Sequence, residues 1–130
     1  MVNSAAIDRA ANPQSARLLV DLINVVRARA DVPPLFIDSD LMAAARDAQN
    51  TNSTASTSSP AALIADRLDM SWTRAGEIRG YAPSVIDYLD AVLASEDHRS
   101  LVMDPSFTRV GLIVDLDDQG ATVRQLLADG

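Results

Sequence analysis

The chain of 130 residues contains no cysteine and one histidine, His98. The absence of cysteine excludes disulfides, thiolate zinc sites and cysteine nucleophiles. With a single imidazole, a bound metal would have to take its other ligands from carboxylates or water. Serines are plentiful, but none lies in a Gly-x-Ser-x-Gly turn, so the chain lacks that signature of a nucleophilic serine.

Positive charge is also scarce, because 11 basic residues stand against 18 acidic ones and leave a net charge of −7. This balance argues against a nucleic-acid partner, since binding to phosphates requires clustered arginine or lysine. The apolar runs are far shorter than the roughly 20 residues that cross a bilayer, so no transmembrane segment is predicted. The first residues lack the basic region and apolar stretch of a signal peptide.

The hydrophobic content of 48% is sufficient for the core of one domain. Residues 1–11 are polar and Ala-rich, which predicts a flexible arm before a single domain at residues 12–130. Capping residues and prolines predict four helices, which begin at Asn12-Pro13, at Asp38 or Ser39, at Ser59-Pro60 and at Ser84. On the first helix, Leu19 and Ile23 lie on the apolar side, whereas Asn24 and Arg27 fall largely outside it.

The apolar period changes from helical to two after Pro105. Two alternating segments, joined by a turn at residues 117–120, predict a β-hairpin. Helices beside a small antiparallel sheet indicate an α+β fold. At their spacing, we expect Trp72, Tyr81 and Tyr88 to lie mostly in the core.

Four motifs follow one another along residues 16–127: Ile23-Asn-Val-Val-Arg27, Pro34-Leu35-Phe-Ile-Asp38, Gly76-Glu77-Ile78, and Ser95-Glu-Asp-His98-Arg99 with Leu101-Val-Met103, Pro105, Phe107 and Gly111 after it. In this order they resemble the CAP superfamily (cysteine-rich secretory, antigen 5 and pathogenesis-related proteins) in its bacterial SCP-like form. The resemblance implies an α-β-α sandwich, with a small antiparallel sheet between helical layers. It also implies an extracellular or cell-envelope location.

In many members of this family, two histidines and two acidic residues line a central cleft that sometimes holds a divalent metal. His98 matches the second histidine, and Glu77 matches the acid of the family's Gly-Glu-Asn segment. The first histidine would fall near residues 50–59, where this chain has none. The asparagine of Gly-Glu-Asn is Ile78 here, and the tryptophan before the Ser-x-x-His motif is Val92. By this comparison the cleft is degenerate.

Three interpretations of the candidate site remain open. Glu77 and His98 are the candidate ligands of a divalent metal, with Glu96, Asp97 or Asp104 as additional carboxylates. The same two residues are the candidate acid-base pair of a hydrolase. In the structural interpretation, His98 bonds to Glu77 or to a backbone carbonyl and ties the fourth helix to the sheet.

A calcium site at Asp115, Asp117 and Asp118 is not favoured, because the EF-hand spacing is absent and a solvated turn accounts for these residues.

The family resemblance implies an exported bacterial protein, non-enzymatic and without a cofactor. Such a protein would bind a small apolar ligand, such as a lipid, or a protein partner at or near the cleft. The alternatives are a cleft hydrolase or metal-dependent enzyme that uses Glu77 and His98, and a structural or adhesion module whose site has decayed.

Overall fold

A four-stranded sheet lies at the centre of the part of the chain that the computed structural model describes, residues 12–50 and 74–129. Its strands are β1 (Phe36–Ile37), β2 (Ala75–Ala82), β3 (Arg109–Leu116) and β4 (Ala121–Ala128), in the spatial order β1-β3-β4-β2. The three long strands are antiparallel neighbours, which confirms the predicted hairpin of β3 and β4. The short β1 adds a parallel pair to β3, so the sheet is mixed at this edge.

Four helices are described: α1 (Pro13–Arg29), α2 (Ser39–Asn50), α3 (Val85–Ala94) and α4 (Glu96–Val102). The predicted caps are confirmed, because Asn12, Asp38 and Ser84 each accept a hydrogen bond from the backbone N–H three residues later. The helix predicted at Ser59-Pro60 lies outside the described residues. The helix predicted from Ser84 is interrupted at Ser95, whose extended backbone ends α3 and begins α4.

The strands send alternate side chains to two different cores. Val110, Leu112 and Val114 of β3 face a large core, which also contains the buried faces of α1 and α3 and Val102 of α4. Ile113 faces a smaller core together with Leu41 of α2. The layers are therefore α1, α3 and α4, then the sheet, then α2, which confirms the expected sandwich.

The two described tyrosines differ in their exposure. Tyr88 is buried in the large core, as predicted, whereas Tyr81 is 54% exposed, so its predicted core position is wrong. Tyr81 alternates along β2 with Ile78 and Ala82, whose side chains are buried in the large core. Its ring therefore points to the opposite side of an edge strand. Trp72 lies outside the described residues.

Candidate functional site

His98 is the third residue of the short helix α4, and its side chain is half-buried. Its backbone N–H points to the Ser95 hydroxyl oxygen at 3.5 Å, which is the N-cap contact of this helix. Across residues 12–50 and 74–129, the hydrogen bonds and ion pairs of the structure do not involve its imidazole. The ring is therefore half-buried without a hydrogen bond from these residues that would orient it for catalysis.

Glu77 lies on β2, and its carboxylate forms an ion pair with Arg124 of β4. The Arg124 Nη1 donates to Glu77 Oε2 at 2.6 Å, and the two side chains are 6% and 12% exposed, respectively. The pair is diagonal in the ladder, because Glu77 lies opposite Leu126 while Arg124 lies opposite Arg79. This ion pair engages Oε2 of the Glu77 carboxylate with Arg124 rather than with a residue of α4.

The sheet separates Glu77 from His98. A Cβ on Gly76 would lie 3.2 Å from Leu101 Cδ2 of α4, so Gly76 faces the helix that carries His98. Glu77 is the next residue on β2 and therefore faces the other side of the sheet. The structure does not bring the two predicted site residues together, and within the described residues the His98 imidazole bonds neither to Glu77 nor to a backbone carbonyl, the two acceptors of the structural interpretation.

The additional carboxylates are equally dispersed. Glu96 and Asp97 are exposed in the first turn of α4. Asp104 accepts hydrogen bonds from Ser106 and forms an ion pair of 2.8 Å with Arg74. Among the residues that the structure describes, no three His, Asp or Glu side chains are grouped as metal ligands.

Opposing effects act on the carboxyl group of Asp104. Partial burial raises its pKa, whereas hydrogen bonds from Ser106 and the contact with Arg74 lower it, and the net result is a lowered pKa.

Asp117, predicted to lie in a solvated turn, has a structural role. Its carboxylate accepts hydrogen bonds from the N–H groups of Gln119 and Gly120 at 2.8 and 2.9 Å and thereby closes the hairpin turn.

Arg27 has a larger structural role than its sequence position predicts. It is fully buried, contrary to its predicted place outside the apolar side of the first helix. Its guanidinium donates to the carbonyl oxygens of Pro33, Val102, Asp104 and Phe107 at 2.6–3.2 Å. Desolvation lowers its pKa, and the nearby charge of Asp104 opposes that effect. Two signals pointed to it, namely its place in the Ile-Asn-x-x-Arg motif and its spacing of four residues from Ile23, on the buried side of α1.

Asn24 has a related role in the same motif. Its side-chain amide donates to Leu35 O at 3.0 Å and accepts from Leu35 N at 2.8 Å, as a neighbouring strand would. The Ile-Asn-x-x-Arg motif therefore fixes the loops around α1 through backbone groups. The motif thus has a structural role, and its two polar side chains bond to backbone groups.

These layers define the class of the protein as an α-β-α sandwich. Residues 20–125 match the model of the cysteine-rich secretory protein family, CAP. The chain belongs to this family. A search of curated proteins gave no match. Within residues 12–50 and 74–129, none of the helices has the length and apolarity needed to cross a membrane.

Solved structures with the same fold come from several bacteria. An outer surface protein of Borrelia burgdorferi is similar with a TM-score of 0.78 and 16% identity, over 93% of this chain and 98% of that one. A cysteine-rich secretory protein of Staphylococcus aureus subsp. aureus Mu50 has a TM-score of 0.73 and 20% identity, over 92% and 40% of the chains. An extracellular SCP-domain protein of Bacillus anthracis str. Ames has a TM-score of 0.65 and 22% identity, over 88% and 40%.

Proposed function

We propose that the protein is an exported, non-enzymatic CAP-domain protein that binds a small apolar ligand or a protein partner. The extracellular location is supported by the neighbours described as an outer surface protein and an extracellular protein. One observation supports the absence of catalysis most directly, namely the ion pair of Glu77 with Arg124. The acid that the family comparison identifies as a site residue is held by an arginine and faces away from α4.

A second candidate is an enzyme or metal site that uses His98. It is favoured by one observation, the half-buried imidazole whose side chain takes part in none of the hydrogen bonds of the described ranges. A neutral imidazole is a good metal ligand, but a stable site needs three or four ligands. The two candidates differ in what metal ions and the His98→Ala substitution do to thermal stability.

Thermal unfolding with and without zinc, nickel and magnesium separates them. Any ion that binds the folded state raises the melting temperature by mass action. The non-enzymatic proposal expects no such rise, either in the original protein or in the His98→Ala variant. A rise that His98→Ala abolishes would favour the metal site, and the exposed substitution Arg29→Lys on α1, which leaves His98 intact, is the control for specificity.

Titration with a fluorescent fatty acid tests the small-ligand form of the binding proposal. Saturable binding of about one molecule per chain would support it. If neither this probe nor a metal binds, the small-ligand form is rejected and a protein partner remains as the proposed ligand. Loss of hydrolytic activity on the substitution His98→Ala, measured with a panel of ester substrates, would overturn the non-enzymatic proposal.

A further inference from the structure

Beyond its short pairing with β1, the outer edge of β3 has backbone groups that no strand pairs with. β1 pairs only with Arg109 and Val110, because the chain leaves the sheet at Asp38 to form α2. The next outward N–H, that of Leu112, donates instead to the sulfur of Met42 at 3.2 Å. A thioether is a weak acceptor, so this backbone donor is satisfied by an unusually weak partner.

A small cavity adjoins this contact. It has a volume of about 30 Å³, and its lining includes Met42, Arg46, Leu112 and Pro13. Met42 and Arg46 are one helical turn apart on α2, so they share a face, and both line the cavity. The space is sufficient for one added oxygen atom, and its lining includes two residues with hydrogen-bond donors, Leu112 and Arg46.

We infer that Met42 is a site of sulfur oxidation by peroxides and that the fold is built to accept its sulfoxide. In this reaction the thioether sulfur takes one oxygen from the peroxide and loses two electrons, while hydrogen peroxide is reduced to water. The new S=O oxygen is a much stronger acceptor than the thioether. It bonds to the Leu112 N–H and to the Arg46 guanidinium. This inference is independent of the proposed ligand.

Met103 provides the contrast within the same chain. It packs against the large apolar core and lies at the end of α4. A sulfoxide at that position would bring a polar oxygen into apolar packing, which is the usual way in which methionine oxidation destabilises a protein. Met42 also packs against an apolar core, the smaller one, but its sulfur already accepts the Leu112 N–H, so the two methionines predict opposite consequences of the same chemical change.

Mild treatment with hydrogen peroxide, followed by peptide mass spectrometry and thermal unfolding, tests the inference. Because the chain also contains Met70 and Met1, a Met70→Leu/Met103→Leu variant leaves Met42 as the single internal methionine, and a Met42→Leu/Met70→Leu variant leaves Met103. We expect Met42 to gain one oxygen while the Met70→Leu/Met103→Leu protein keeps its melting temperature within a few degrees. The amide resonance of Leu112 should shift at the same time, as its acceptor changes from sulfur to oxygen.

Arg46→Ala supplies the second arm of the experiment. It should leave the unoxidised protein unchanged in stability and should selectively lower the melting temperature of the oxidised form. Unfolding upon oxidation of Met42, an unchanged Leu112 resonance after complete oxidation, or an equal effect of Arg46→Ala on both forms would each overturn the inference.

Discussion

Arg27 Nη1 and the carbonyl oxygen of Val102 lie 2.6 Å apart, although 75 positions separate these residues in the chain. The contact links α1 to the last turn of α4, and the same guanidinium extends the link to Phe107 at the approach to β3. A planar fork of donors can satisfy several carbonyls at once, which a single ammonium group cannot do. The arginine of the family motif is thus explained by the buried backbone carbonyl oxygens, which need a hydrogen-bond donor.

Replacement of Arg27 by lysine should therefore be strongly destabilising. We expect a loss of about 3 kcal/mol in the free energy of unfolding, because several buried carbonyls lose their donor. Urea denaturation, followed by circular dichroism, measures this loss in the free energy of unfolding. The matched control is Arg29→Lys at the exposed end of α1, which should change stability by less than about 0.5 kcal/mol. Equal effects of the two substitutions would contradict the assigned role of Arg27.

Gly111 is required by the close approach of α2 to β3. A Cβ at this position would lie 2.2 Å from the carbonyl carbon of Leu41 and 2.4 Å from the backbone nitrogen of Met42. Backbone atoms of a helix cannot move aside cheaply, so Gly111→Ala should cost about 3 kcal/mol or prevent folding. Gly76→Ala is the control, since its nearest neighbour is the end of the Leu101 side chain at 3.2 Å. A smaller loss at Gly111 than at Gly76 would contradict the close approach of α2 to β3.

Local signals explain why part of the fold could be predicted from the sequence. The N-caps at Asn12 and Ser84 depend on residues within one turn, and the β3–β4 hairpin depends on an alternation and a short turn. The break at Ser95 was missed for the opposite reason. This serine ends one helix and caps the next, and a continuous apolar pattern does not reveal such a division.

The candidate site was less predictable, because its contacts depend on strand order. Glu77 and Arg124 are 47 positions apart and meet only because β2 is the neighbour of β4. The face on which Glu77 lies depends on the register of β2, which also separates it from His98. The acceptors of Arg27 are backbone carbonyls, which any residue type supplies and which no sequence pattern marks.

The ion pair of Glu77 with Arg124 predicts that neutralising one partner strongly lowers the free energy of unfolding. Glu77→Gln removes the carboxylate that pairs with the buried Arg124 guanidinium, which should cost about 3 kcal/mol. The double variant Glu77→Leu/Arg124→Leu should recover a large part of that loss, because both charges are then removed. A double-mutant cycle by urea denaturation measures the coupling. Stability unchanged by Glu77→Gln would show that the carboxylate is available for another role.

Tyr88 and Gln125 form a buried polar pair that is incompletely satisfied. The tyrosine hydroxyl donates to the Gln125 Oε1 at 3.2 Å, while the buried Gln125 Nε2 has no hydrogen-bond partner within residues 12–50 and 74–129. Tyr88→Phe alone should destabilise by about 1–2 kcal/mol, because the amide then loses its remaining partner. Tyr88→Phe with Gln125→Leu should be nearly neutral or stabilising, because both polar groups are removed. Thermal unfolding distinguishes these results, and a more severe loss in the double variant would contradict them.

Burial also raises the pKa of the Tyr88 hydroxyl. A group whose pKa is higher in the folded state contributes stability that is complete below its unfolded pKa and is lost as the pH rises towards the folded value. Stability should therefore fall above about pH 10, the ordinary pKa of tyrosine. In the Tyr88→Phe variant this alkaline decline should be shallower, whereas identical slopes would assign it to other groups. Denaturant titrations at a series of alkaline pH values provide the comparison.

The lowered pKa of Asp104 predicts that the stability of the folded protein falls at acid pH. Its pKa is lowered because the bonds from Ser106 and the contact with Arg74 outweigh desolvation, which acts in the raising direction. The unfolded chain therefore binds the proton more tightly. The stabilisation is present above the unfolded pKa of about 3.9 and is lost as the pH falls through the lower folded value.

The measurement is the free energy of unfolding between neutral and strongly acid pH. Asp104→Asn should be less stable than the original protein near neutral pH and should show a shallower acid decline. Arg74→Gln should give an intermediate slope, because the hydrogen bonds from Ser106 to Asp104 remain. If the original protein and Asp104→Asn lose stability in parallel as the pH falls, the junction between α4 and β3 does not carry this acid sensitivity.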